Sequence, residues 1–137
     1  MAKYHDMGIA DISFLADADL TSKQYHFVTV ASTGGYVKTA TGASNPTVLG
    51  VLQNSPSAGQ EARVRIVGFS KIVGENGACN LTVGTFVTCA SDGQAETMTP
   101  SGCPAIGRWM GPTYATAGSI FGEVLLFGFS ACISASN

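Results

Sequence analysis

Val48-Leu49-Gly50-Val51-Leu52-Gln53-Asn54-Ser55-Pro56-Ser57-Ala58-Gly59-Gln60-Glu61-Ala62-Arg63-Val64-Arg65-Ile66-Val67-Gly68 is the stretch whose reading decides the fold. An apolar run, a turn cluster and an alternating run follow one another, which predicts a β-hairpin. Side chains alternate across a strand, so Ala62, Val64 and Ile66 fall on one face and Glu61, Arg63 and Arg65 on the other. The first face is expected in a core, the second in water. Between the runs, Pro56 fixes φ, Gly59 accepts a positive φ and Asn54 bonds nearby backbone.

The frame recurs downstream at an offset near sixty residues. Ala105-Ile106-Gly107-Arg108-Trp109-Met110-Gly111-Pro112 through Ala117-Gly118 repeats the apolar-Gly-x-apolar pattern with its later Pro and Ala-Gly. Glu123-Val124-Leu125-Leu126-Phe127-Gly128-Phe129-Ser130 answers Ala62 to Ser70, with Gly68-Phe69-Ser70 and Gly128-Phe129-Ser130 identical. Upstream, Phe27-Val28-Thr29-Val30-Ala31-Ser32 is answered by Phe86-Val87-Thr88-Cys89-Ala90-Ser91. These matches predict an internal duplication over about residues 27–70 and 86–130: two related hairpin units around one core.

Working outward, Tyr25 to Ala31 and Tyr36 to Ala40 are expected strands around the Ser32-Thr33-Gly34-Gly35 turn. Phe69 to Val73 continues the strand past Gly68, which is read as a bulge or bend where a strand changes sheets. Thr85 to Ala90 and Gln94 to Met98 flank Asp92-Gly93, a strong hairpin signal; Ile106 to Met110 and Phe121 to Phe129 complete the set. No window keeps a helical period for three turns. The expected fold is all-β, a compact β-barrel or β-sandwich built from the two units, forming a single domain over residues 19–137. Residues 1–18 carry Ile9, Ile12, Phe14 and Leu15 among acidic residues and read as an N-terminal arm. Such an arm adds an edge strand to its own domain, reaches a neighbour, or frays.

Composition narrows the function. With 137 residues, 12% of them charged, and a net charge of −2, the chain has length for one domain and no basic patch to grip nucleic acid. No span approaches twenty apolar residues and the start lacks a signal-peptide core, so neither membrane nor secretion is expected. Cys79, Cys89, Cys103 and Cys132 lack metal-ligand spacing and read as small buried hydrophobes; if they were oxidised, three pairings would be open. No metal or cofactor is expected. Nor is an enzyme: there is no GxSxG elbow or phosphate-binding glycine loop, and Ser70 and Lys71, being adjacent in a strand, face opposite ways. His26 reads as a half-buried strand residue. Trp109, with Tyr4, Tyr36 and Tyr114, is a candidate stacking platform for sugars or bases, but it also falls where the first unit has Leu52, a core or interface position.

Leu20 to Val28, Val48 to Gly59 with its Leu-Gly-Val-Leu-Gln-Asn core, Ile106-Gly107-Arg108, and Gly118 with Glu123-Val124-Leu125-Leu126 together resemble the small capsid decoration (cement) proteins of tailed bacteriophages, the group catalogued as DUF2190. The resemblance spans about residues 20–126. It implies a structural virion protein made in the host cytoplasm that binds the outer surface of an assembled head, commonly as a homotrimer, with the major capsid protein and itself as partners and no catalytic residues. On that reading Ile9, Ile12, Phe14, Leu15 and Trp109 are candidate capsid or inter-subunit contacts. Gly50, Gly59, Gly68, Gly107, Gly118 and Gly128 are expected structural glycines. Two other readings stand beside it: a fibre or surface module recognising a glycan or host surface, and another virion subunit such as a tail tube or collar.

Overall fold

The computed structural model describes residues 9–41, 48–75, 81–98, 104–111 and 120–132. Among them the regular structure is nine strands: β1 (Ala10–Ala16), β2 (Phe27–Val30), β3 (Tyr36–Thr39), β4 (Val48–Leu52), β5 (Glu61–Gly74), β6 (Phe86–Cys89), β7 (Ala95–Thr97), β8 (Pro104–Trp109) and β9 (Ile120–Cys132). The fold is all-β, as the alternation of apolar residues requires. Among the described residues no helix is long and apolar enough to cross a membrane.

The hairpin that decides the fold forms as β4 and β5, antiparallel with Val51 opposite Arg65 and Leu52 opposite Val64. Its turn is held as its chemistry demands. Asn54 Oδ1 accepts from the Arg63 amide at 3.0 Å and Asn54 Nδ2 donates to the Glu61 carbonyl at 2.9 Å, while Gly59 takes φ +81°. Ala62 and Val64 are fully buried, and Glu61 and Arg63 are exposed.

Strand order runs β1-β3-β2-β4-β5-β7-β6-β8-β9, with further pairings of β1 with β5 and of β5 with β9. The first of these closes β1, β3, β2, β4 and β5 into a five-stranded barrel. The second closes β5, β7, β6, β8 and β9 into a five-membered ring, β7 joining through Gly74 opposite Ala95. Both closures use the same pattern. In each, the leading strand runs parallel to the second strand of a hairpin, and the other four junctions are antiparallel. β5 serves twice: residues up to Val67 close the barrel against β1, and residues from Val67 on lead the ring against β9. Gly68, at φ +104°, lies at that handover, where the sequence places a change of sheet.

Cross-strand register makes the duplication a residue-by-residue relation. Val28 opposite Gly50 matches Val87 opposite Gly107. Leu52 opposite Val64 matches Trp109 opposite Val124. Val30 opposite Val37 matches Cys89 opposite Ala95. The apolar interior divides accordingly. Ala16, Leu20, Val28, Val37, Leu52, Ala62 and Val64 fill the barrel, and Ile72, Leu81, Val87, Cys89, Ala95, Ile106, Trp109, Val124 and Leu126 fill the ring together with Phe27, Ala40, Val48 and Val51 from the barrel's outer wall.

Of the three readings of residues 1–18, the described part takes the first, a strand added to its own domain: residues 10–16 are β1, not at an edge but paired with β5 at six positions from Ala10 opposite Val67 to Leu15 opposite Glu61, and with β3 on its other side. The strand is recruited because β5 would otherwise present an unpaired edge over Ala62 and Val64, and backbone donors and acceptors at a buried edge must be satisfied. Asp11 and Arg65 fasten it, with Nε to Oδ1 at 2.8 Å and Nη2 to Oδ2 at 3.0 Å. The sheet domain therefore begins before residue 19.

Candidate functional site

The candidate contact residues separate into three settings. Ile9 flanks β1 and lies against Gly68, where a Cβ would approach Ile9 Cγ1 at 3.0 Å. Phe14 is half-buried against the barrel interior. Ile12 and Leu15 are exposed, Ile12 at 48%. Trp109 has no exposed surface, so of the two positions its match to Leu52 allowed, core and interface, the structure gives the core, which takes the largest member out of the candidate stacking platform. Tyr36 is half-buried at the start of β3; Tyr4 and Tyr114 lie outside the described residues.

The structural glycines have physical reasons that differ. A Cβ on Gly50 would run into the Arg65 carbonyl oxygen, and one on Gly107 would stand 2.5 Å from the Leu125 carbonyl oxygen. The two sites are equivalent: each glycine lets a neighbouring strand approach closer than a side chain permits. Gly59 and Gly68 have positive φ. Gly128 lies in β9, and Gly118 is outside the described residues. Sequence reasoning missed Gly122, whose Cβ position is occupied by the Trp109 indole. The signal was its place opposite Ile72 in β9, matching Ala62 opposite Phe14 in the barrel. Leu52 beside Ala62 in one unit has become Trp109 beside Gly122 in the other.

Tyr25 is the other residue that the sequence did not single out. It sits at φ +65°, the non-glycine residue in that region among those described, and its counterpart is Gly84 at φ +92°. Their backbones do the same thing: the Tyr25 amide donates to Leu52 O at 2.7 Å, and the Gly84 amide donates to Trp109 O at 2.7 Å. Tyr25 O also accepts from the Val73 amide at 3.0 Å, linking barrel to ring. Left-handed backbone costs a tyrosine about 1 kcal/mol or more, and its ring supplies the compensation. It packs against the ring's core and meets Phe121 edge to face at 6.3 Å, with Lys71 Nζ over both rings at 5.5 and 4.9 Å. Phe121 is 53% exposed. This is an aromatic and cationic surface spot.

Ser70 and Lys71 do face apart. Ser70 is buried, accepting from Gln53 Nε2 at 2.8 Å and donating to the Lys71 carbonyl at 2.8 Å, while Lys71 is exposed. His26 is buried just before β2, its Nδ1 3.1 Å from Gln24 O. Cys89 is buried within the ring, its Sγ donating to the Ala90 carbonyl at 3.1 Å; Cys79, Cys103 and the Cys132 side chain lie outside the described residues. Among the described residues no three His, Cys, Asp or Glu side chains gather as a metal would require. One carboxylate is perturbed: burial, and secondarily the charge of Glu75, raise the pKa of Glu96.

The remaining surface feature is the end of the barrel at which β1 begins. β3 and β4 also begin there and β2 ends there, by the parallel and antiparallel pairings of the barrel. Ile12 and Val30 are exposed at this end, Val30 at 46%, and Phe14, Leu49 and Ile66 are half-buried against the interior. What the geometry offers there is thus a cluster of partly exposed apolar side chains.

No family model matches the chain, and no curated protein matches it. Among solved structures it is similar to the head fiber gp8.5 N base of bacteriophage phi29, at 13% identity and a TM-score of 0.60, over 90% of this chain and 98% of that one. The likeness is one of fold, and it extends over nearly the whole of both chains.

Proposed function

We propose that the chain is a structural protein of a tailed-phage virion that attaches to the outer surface of the head and stabilises the capsid. The observation that carries this reading is the near end-to-end likeness to the base of a head fiber. It is supported by a separate line, the resemblance of Leu20 to Val28 and Val48 to Gly59 to capsid decoration proteins. The partners on this reading are the major capsid protein and further copies of the chain, as a trimer, and the protein is not an enzyme. Physical economy fits: a head presents many identical junctions, so each copy needs only a modest interface, and a weakly charged β surface lets identical neighbours approach closely.

Purified protein mixed with heads that lack it should sediment with them and add density to their outer surface in negative-stain images. Protein that stays in the supernatant at every ratio overturns the reading. The exposed Phe121 beside Tyr25 and Lys71 favours a second reading, a surface-binding module, because sugars stack on such rings. Glycan binding that is lost in Phe121→Ala, in a protein indifferent to heads, would establish it.

A further inference from the structure

The two halves of the molecule treat the same end of their barrels in opposite ways. In the ring, the end residues are Ile72, Cys89, Ile106 and Leu126, and all are buried. They are covered by the outer wall of the barrel, whose Phe27, Ala40, Val48 and Val51 belong to the same cluster. Polar contacts seal the seam: Gln53 Nε2 reaches Ser70 Oγ at 2.8 Å, the Phe27 amide donates to Gly93 O at 2.6 Å, and a Cβ on Gly93 would touch Phe27 O at 2.9 Å. Among the described residues the corresponding barrel positions are less covered: Phe14, Leu49 and Ile66 are half-buried. Val30 matches Cys89 through their partners Val37 and Ala95; Ile12 matches Ser70 through Val64 and Val124. Where Cys89 and Ser70 are covered, Val30 and Ile12 are about half exposed.

We propose that this open barrel end is a self-association surface, and that its occupant is the outer wall of the ring from a second copy. The chain itself shows which surface closes such an end: a wall bearing Phe27 opposite Val51. The equivalent wall of the ring bears Phe86 opposite Arg108, both partly exposed. Phe86 is half-buried, edge to face with Phe127 at 6.0 Å and stacked under the Arg108 guanidinium at 4.5 Å. Arg108 is in turn held by Gly84 O at 2.7 Å. This is a preformed aromatic anchor of the kind that dominates protein interfaces. The receiving end presents Ile12, Phe14, Val30, Leu49 and Ile66 to the Phe86 ring, and the Arg108 guanidinium that comes with that ring keeps its hydrogen bond to Gly84 O. The contact is head-to-tail, joining two different surfaces, and it closes into a ring of subunits or continues as a chain according to the rotation it imposes. It stands independently of the attachment to heads.

Sedimentation velocity on two variants tests it, Val30→Lys at the barrel end and Phe86→Lys on the wall, with Ile12→Lys as a second end variant should Val30→Lys lose its cooperative melt. The parent should self-associate at micromolar concentration, each variant should be monomeric, and an equimolar mixture of the two should form a dimer through the one intact end and the one intact wall. A monomeric parent, variants that associate like the parent, or a mixture that stays monomeric each overturn the proposal. If the parent is monomeric and Val30→Lys abolishes sedimentation with heads, the capsid and not a second copy covers the end. Self-association that survives alongside a failure to bind heads would sink the head-attachment reading and leave this one standing.

Discussion

At the scale of residues, the duplication explains which substitutions the fold tolerates. Gly50 and Gly107 are both needed because a Cβ at either meets a carbonyl oxygen of the neighbouring strand, and backbone cannot move aside as a side-chain end does. Gly50→Ala and Gly107→Ala should each destabilise by about 2 kcal/mol or more, whereas Gly34→Ala, with open space around it, should stay within about 0.5 kcal/mol. Chemical denaturation of the three variants checks this, and equal midpoints would remove the close approach as the reason for the glycines. Trp109 and Gly122 make a finer case. Gly122→Ala alone drives a methyl into the indole, and Trp109→Leu alone leaves a cavity of the order that costs about 3 kcal/mol. The double variant restores the Leu and Ala that the barrel uses at Leu52 and Ala62, so its destabilisation should fall short of the sum by about 1 kcal/mol or more. A strictly additive cycle would mean that the two positions do not share one volume.

At the scale of elements, β1 and β5 carry the architecture. β5 belongs to both closures, so the barrel and the ring cannot be separated at a linker, and the chain should melt in one transition. β1 closes the barrel with six positions paired to β5 and contributes buried Ala16 and half-buried Phe14. Removing residues 2–18 should therefore destroy the cooperative melt or lower its midpoint steeply. A circular dichroism melt of the truncation decides the point, and a normal melt would show that β1 is dispensable.

The barrel and the ring also show how one frame acquires two characters. The positions of the frame persist: glycine at close approach, a positive φ at Tyr25 and Gly84, an apolar residue opposite an apolar residue. What differs is fit. Leu52 with Ala62 became Trp109 with Gly122, and Gly84, the residue that suits positive φ, has as its counterpart a tyrosine whose ring repays its strain on Phe121 and Lys71. Large-for-small exchanges of this kind conserve volume, which cores demand more strictly than identity.

At the scale of the whole molecule, the sequence by itself determined the all-β class, the hairpin at Val48 to Gly68, the turn at Asp92-Gly93, the handover at Gly68 and the equivalence of Gly50 with Gly107 and of Leu52 with Trp109. These are legible because period-two alternation, turn residues and repeated spacing are local properties of a chain. Only the tertiary structure decided that residues 10–16 belong to the barrel, because the need for a closing strand arises from the unpaired edge of β5, a long way along the chain. It alone decided that Trp109 is core, since a core and an interface position look alike until a neighbour such as Gly122 is seen to make room. And it alone separated the covered end of the ring from the open end of the barrel: apart from Ile12 and its counterpart Ser70 the two have matching apolar residues, and what distinguishes them among the described residues is the wall that lies across the ring's end.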